Sequence, residues 1–291
     1  MEALITILAG AHGLVEANKR VRPDRGLQRA FGRSGCAEQS VIQDTLDACT
    51  SENVKQMEEA LAVIYRQYSQ GYRHPYDQQY QILDIDLTGR PGGPKAAFAT
   101  PGYFSRQRNR RGRQVGYVVA SLYEEVVVQQ VFAGNESLPK VLRPLVEAAD
   151  SVLELDEAKR LVGKSPEKAG DPQAVLWAYV RFYDQRGGGV EIEIKEGKHG
   201  LGSLRRKKKR FEAQQMVVLL EALAHNLLVW VRGWLADACP RLARWGLLRW
   251  IRDVIHITYT FGPPGMTSEC SFSPFPQRSN LGGRMRRERD E

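Results

Sequence analysis

The chain has 291 residues, 42% apolar and 26% charged, a balance that suits a soluble globular protein with one large core or two modest ones and excludes a disordered chain. Forty-two basic against 34 acidic side chains leave a formal charge of +8, which favours anionic partners such as nucleic acid. The four cysteines, Cys36, Cys49, Cys239 and Cys270, form no CxxC pair, so neither a zinc knuckle nor a disulfide framework is expected and a reducing cytoplasm is the simplest location.

The apolar start ALITILAGA follows Glu2 rather than a basic stretch, so it is not read as an export signal. Residues 1–75 read as a helical region. Met57, Leu61, Ile64, Tyr65 and Tyr68 recur at helical spacing, and residues 50–53, ThrSerGluAsn, look like a cap between two helices. The segment CAEQSVIQDTLDAC, with Ser40, Gln43 and Asp44 exposed, fits either a helix lying on DNA or a plain helical subdomain. The pattern then changes to strands. QILDIDLTG alternates, placing Ile82, Asp84 and Asp86 on one face and Leu83, Ile85 and Leu87 on the other. Two carboxylates side by side repel, which suggests a cation near them or else a solvated edge.

Five arginines follow within eight residues, Arg106, Arg108, Arg110, Arg111 and Arg113, as a solvated turn or a contact for phosphates. RQVGYVVASLY and EEVVVQQVFAGN read as a second and third strand, and LPKVLRPLVEAAD as a helix. Further on, three glycines precede a helix in which Glu191, Lys195 and Lys198 fall at i, i+4 and i+7 on one stripe. Arg205, Arg206, Lys207, Lys208, Lys209 and Arg210 form an unbroken basic run that reads as a solvated loop or a phosphate contact. The apolar stretch from Met216 to Leu235 is nearly long enough to span a membrane. Glu221, His225, Asn226 and Arg232 interrupt it, so a buried core helix is expected, with His225 and Asn226 as a satisfied core pair. Residues 262–291 are rich in Pro, Gly, Ser and Arg and read as a disordered basic tail.

The spacing of Tyr183, Arg186, Glu191 and Lys198 resembles the tyrosine-arginine-glutamate-lysine signature of bacterial insertion-sequence transposases of the DDE type, and the helix that follows is similar too. Here four residues rather than the usual three separate the arginine from the glutamate, yet counting back six from Lys198 reaches Glu191 ahead of Glu193. Asp86-Leu87-Thr88 is similar to the end of the first strand in the RNase H-like core of that family. The resemblance implies an α/β fold, an RNase H-like mixed sheet flanked by helices over residues 76–261. It implies Asp86 and Glu191 as catalytic carboxylates that ligate Mg2+ or Mn2+, with Asp84 beside them. Arg186 and Lys198 would hold phosphates near the cleaved end, Tyr183 would orient the strand, and Lys195 with the 205–210 run would contact DNA. The implied partner is the double-stranded DNA of transposon ends, no membrane is implied, and a homodimer is compatible with it.

The DDE chemistry needs a second aspartate, which in the family ends a fourth strand. Between Asp150 and Asp171 the chain has only about twenty residues, too few for that strand, its helix and an inserted subdomain. Asp150, Asp156 and Asp171 are the available substitutes. The reading is therefore an internally deleted copy, truncated between about 151 and 171, in which DNA binding outlasts cleavage. A non-catalytic DNA-binding remnant is the alternative to an active transposase.

Overall fold

A capping box opens the longest N-terminal helix. In the computed structural model, which describes residues 1–76, 78–79, 81–104, 110–155 and 189–252, Thr50 Oγ1 accepts from the Asn53 amide at 3.3 Å and Asn53 Oδ1 accepts from the Thr50 amide at 3.1 Å. Three short helices precede it, α1 (Glu2–Leu8), α2 (Arg25–Ala30) and α3 (Gln39–Asp47), and the capped one is α4 (Ser51–Tyr68). Of the stripe expected on α4, Tyr65 is buried, Met57, Leu61 and Ile64 are half-buried and Tyr68 is exposed.

The strands are β1 (Leu83–Pro91), a two-residue β2 (Thr100–Pro101), β3 (Arg111–Ala120) and β4 (Glu125–Ala133). β3 is central. It pairs antiparallel with β1 along one edge and with β4 and β2 along the other, with a bulge between Val118 and Val119. All described pairings are antiparallel, where a mixed sheet was expected. Hairpin-length connections can only join antiparallel neighbours, and a parallel partner for β1 would have to come from residues after the next helix. That helix, α5 (Leu138–Leu153), buries Val141, Leu145, Ala149 and Leu153 at four-residue intervals against one face of the sheet. It comes so close that a Cβ on Gly116 of β3 would lie 2.8 Å from Leu145 Cδ1 and 2.9 Å from Phe132 Cε2, so these side chains would have to shift to admit one. The segment where a fourth strand was expected to be cut short, 151–171, lies mostly outside the described residues, as does the 262–291 tail.

The opposite face is covered by α6 (Gly189–His199) and α7 (Phe211–Ala236), and a final turn, α8 (Leu247–Trp250), packs on both. α7 is the one described helix long and apolar enough to cross a membrane, and 67% of its apolar window is buried within the protein, as a core helix requires. It sits between the sheet and α1, α3 and α4, which is why its polar residues are buried as well. Two of them bond to the backbone of β4. Gln215 accepts from the Val131 amide at 2.7 Å and donates to the Gln129 carbonyl at 3.2 Å. Asn226 accepts from the Val126 amide and donates to its carbonyl, both at 2.8 Å.

At the start of β4 the Glu125 carboxylate is 1% exposed. It accepts from Tyr65 Oη at 3.1 Å, from the Gln70 and Gly71 amides and Trp230 Nε1 at 2.9 Å, and from Ser69 Oγ. One charge thus joins the end of α4, the 69–71 turn and α7 to the sheet, and its burial is compensated by these charge-assisted bonds. Glu125→Gln replaces one acceptor oxygen by a donor facing donors, and it is expected to cost about 3 kcal/mol, read as a lower urea midpoint at unchanged slope.

Candidate nucleic-acid interface

The acidic face of β1 is covered by helices. Its register sets Asp84 opposite Val119, Asp86 opposite Tyr117, Thr88 opposite Val115 and Arg90 opposite Arg113. Val115, Tyr117 and Val119 cluster with Val190 and Ile194 of α6 and with Val218 and Ala222 of α7. The alternation read from QILDIDLTG therefore holds, with the carboxylates on the α6 and α7 side. Asp84 is buried and accepts from Ser121 Oγ at 2.8 Å. Asp86 is half-buried, and its Oδ1 accepts from the Leu87 amide at 2.8 Å. Arg90, also buried, places Nη2 2.6 Å from Glu221 Oε2 of α7, a pair that crosses between sheet and helix.

On α6, Val190 and Ile194 face the sheet, and Lys198 follows on the flank near Asp86. Burial lowers the Lys198 pKa below the usual lysine value, and the Asp86 charge opposes that fall. Glu191 and Lys195 are exposed on the adjoining stripe. Among the described residues no three Asp, Glu, His or Cys side chains gather into a metal-binding group. The helix period contributes to this. With Val190 and Ile194 turned to the sheet, Glu191 is carried round toward solvent, while the Asp84 carboxylate bonds to Ser121 just beyond the end of β3. Tyr183, Arg186, Asp156 and Asp171 lie outside the described residues, and Asp150 is a half-buried residue of α5.

Glu193, the other glutamate of the signature segment, is buried against α7. Its Oε2 lies 3.0 Å from His225 Nε2, which also sits 2.8 Å from the Glu124 carbonyl oxygen. Burial alone would lower the His225 pKa, but the charge and hydrogen bond of Glu193 outweigh it and hold the ring above its usual value. His225 and Asn226 are thus satisfied core residues, as their place in the apolar run suggested.

The basic run does not act as one block. Residues 205–209 alternate, with Arg205, Lys207 and Lys209 exposed and Arg206 and Lys208 buried, and Arg210 exposed at the end. Arg206 donates through Nη1 to the Leu201 carbonyl and through Nη2 to the Ala11 carbonyl. Lys208 donates to Gln43 Oε1 of α3, which turns inward, while Ser40 and Asp44 of that helix are exposed. Arg206 and Lys208 are therefore buried cross-links within the protein, in a run whose six adjacent charges gave no sign of inside and outside positions. Burial and the charge of Arg90 lower the Arg206 pKa to about 10, against the pull of Glu221, so it stays charged at neutral pH. Among the five arginines of the loop, Arg106 and Arg108 lie outside the described residues, Arg110 and Arg111 are exposed, and Arg113 is buried. Arg113 donates to the Ala97 carbonyl at 2.7 Å, to Lys208 at 3.1 Å and to Lys209 at 2.8 Å. Arg113 belongs to the arginine run noted in the sequence, whereas Arg90 and Lys95 were not singled out, although the GlyArgProGlyGlyProLys stretch directly after the acidic strand was a usable signal.

Set beside protein-family models, curated proteins and solved structures, the chain matches none. The site therefore has to be read from its own chemistry. The exposed edge formed by Arg205, Lys207, Lys209 and Arg210 is a cationic strip fixed from below by two buried cations, suited to a polyanion and indifferent to base sequence.

Two tests follow from this arrangement. Arg206→Gln is expected to cost about 2 kcal/mol of stability, because two backbone carbonyls lose a charged donor, while Lys207→Gln stays within about 0.5 kcal/mol, both measured by chemical denaturation. The raised pKa of His225 means that the folded state holds its proton more tightly than the unfolded chain. The stabilisation is full below about pH 6.5 and is lost as pH rises through the higher folded value, so the denaturation midpoint falls across that window and His225→Gln flattens the fall.

Proposed function

We propose that this chain is a DNA-binding protein of the DDE transposase kind that grips the phosphate backbone of duplex DNA without cutting it. The observation that carries the reading is the cationic strip of Arg205, Lys207, Lys209 and Arg210. These four exposed charges flank Arg206 and Lys208, whose side chains are anchored in the protein, so the backbone that carries them is held in place before DNA arrives. Further support comes from β1, with its Asp86-Leu87-Thr88 end, from the antiparallel hairpins and α5 that follow it, and from α6, which lies on β1 and β3 as the signature segment of an RNase H-like core would. Cys36, Cys49 and Cys239 are free thiols, which suits a reducing cytoplasm.

The ion that the resemblance implies, Mg2+ or Mn2+, needs three converging carboxylates. Among the described residues no three such side chains gather, with Asp84 buried on Ser121 and Glu191 exposed. No cleavage step is therefore assigned to Asp86 and Glu191. The second reading, an active transposase, is favoured by the packing of α6 that sets Lys198 near Asp86.

A salt titration of duplex binding, followed by gel shift, separates the readings. Affinity is expected to fall linearly with salt on logarithmic axes, and glutamine at 205, 207, 209 and 210 together should reduce the slope by about 0.9 for each side chain that meets a phosphate. An unchanged slope returns the strip to an ordinary solvated surface. Magnesium-dependent nicking of transposon-end DNA that disappears in Asp86→Ala would establish the active enzyme instead.

A further inference from the structure

Beside the cationic strip lies a cavity of about 380 Å³, lined by Arg90, Lys95, Arg113, Lys207, Lys208 and Lys209 together with the Pro91–Ala96 turn, Ala99 and Gln214. Among the described residues no carboxylate lines it. Two segments distant in sequence form its walls. On one side Gly93, Pro94, Lys95 and Ala96 make a β-turn closed by a 3.1 Å bond from the Ala96 amide to the Gly93 carbonyl, with proline at the position that favours its fixed φ. That turn holds the exposed Lys95 at the rim. On the other side runs the 207–209 segment. Arg113 donates to carbonyls of both walls, and the Ala97 amide donates to the Lys209 carbonyl at 2.9 Å, so the opening is fixed by the chain itself.

The charge in this hollow is poorly balanced. Arg90 faces Glu221, yet its Nη1 is buried without a hydrogen-bond partner. Arg113 spends its donors on carbonyls, which satisfies its hydrogens and leaves its charge. Lys208 turns its ammonium to Gln43, whereas Lys95, Lys207 and Lys209 make no ion pair among the described residues. Like charges held this close in a concave, partly apolar wall repel one another and concentrate a positive field that an anion would relieve. Proline, glycine and alanine on the turn give a flat apolar surface next to that field, and the volume suits a ligand larger than a lone ion.

We propose that this cavity binds a phosphate monoester, with Lys95, Lys207 and Lys209 meeting its oxygens and Arg90 and Arg113 supplying the field behind them. The phosphoryl group belongs either to a free phosphorylated compound or to the terminal phosphate of a nucleic-acid strand. The assignment goes beyond duplex binding, which uses charges outside the hollow as well.

Pyrophosphate is the probe for the first source, and paired oligonucleotides with a 5′-phosphate or a 5′-hydroxyl are the probes for the second. The full chain is expected to bind pyrophosphate in isothermal titration at constant ionic strength, and Lys95→Gln with Lys207→Gln and Lys209→Gln should weaken it by about tenfold or more. These three side chains are exposed, so the variant keeps its fold. A preference for the 5′-phosphorylated strand that pyrophosphate abolishes would assign the cavity to strand ends, and pyrophosphate binding without such a preference would assign it to a free ligand. Absence of pyrophosphate binding, or equal binding by the triple variant, overturns the proposal. Arg205→Gln with Arg210→Gln lies outside the cavity and separates the two readings. It should weaken duplex binding and leave pyrophosphate untouched, so a chain that binds duplex but no pyrophosphate retains the first function alone.

Discussion

The assembly of this protein hangs on a buried negative charge. Glu125 opens β4, and its carboxylate is reached by donors from α4, from the turn after it and from α7. Removing an ionised carboxylate from water is costly, and only a full set of donors offsets it. Those donors therefore cannot drift independently. The docking of α4, the entry into the sheet and the position of Trp230 are set together, and Trp230 fixes where α7 lies across the strands. Because α7 also carries Glu221, the partner of Arg90, the geometry behind the cationic cavity is inherited from the same point.

A second theme is the internal use of cations. Arg90, Arg113, Arg206 and Lys208 all carry charges that a sequence reader assigns to the surface, and all are buried. Each reaches a carbonyl, an amide oxygen or a carboxylate that would otherwise go unanswered. Arg113, Arg206 and Lys208 fix the 205–210 segment to β3, to the turn after α1 and to α3. The charges left outside then occupy defined places, which is what distinguishes a binding strip from a loose basic tail.

Much of the fold was legible. Period-two alternation located β1 and assigned its faces, the Thr50 cap located the start of α4, and the charged interruptions in the 216–235 stretch marked a core helix. What escaped was long-range polar chemistry. The partners of Glu125 are 54 to 105 residues away, and no local pattern records a donor that distant. The basic run escaped for another reason. Six like residues carry no periodic contrast, so the inside and outside positions of an extended segment cannot be told apart until its neighbours are known. The grouping of Asp84, Asp86 and Glu191 was drawn from strand alternation and a family spacing, and neither fixes the rotation of α6, which Val190 and Ile194 decide by packing.

The edge of β4 carries a consequence for the chain as it is made. EVVVQQVFA is short, rich in valine and nearly uncharged, and among the described residues Gln215 and Asn226 of α7 bond to its open side. Such a strand left bare is a template for pairing with its counterpart in another copy. On the ribosome the strand emerges well before the helix that seals it, and at about 10 residues per second the interval is roughly 10 s. Nascent chains on one message pass through that window close together. The polar residues set in an otherwise apolar helix thus serve as a late-arriving seal, and the chain's yield depends on what shields the valines until it closes.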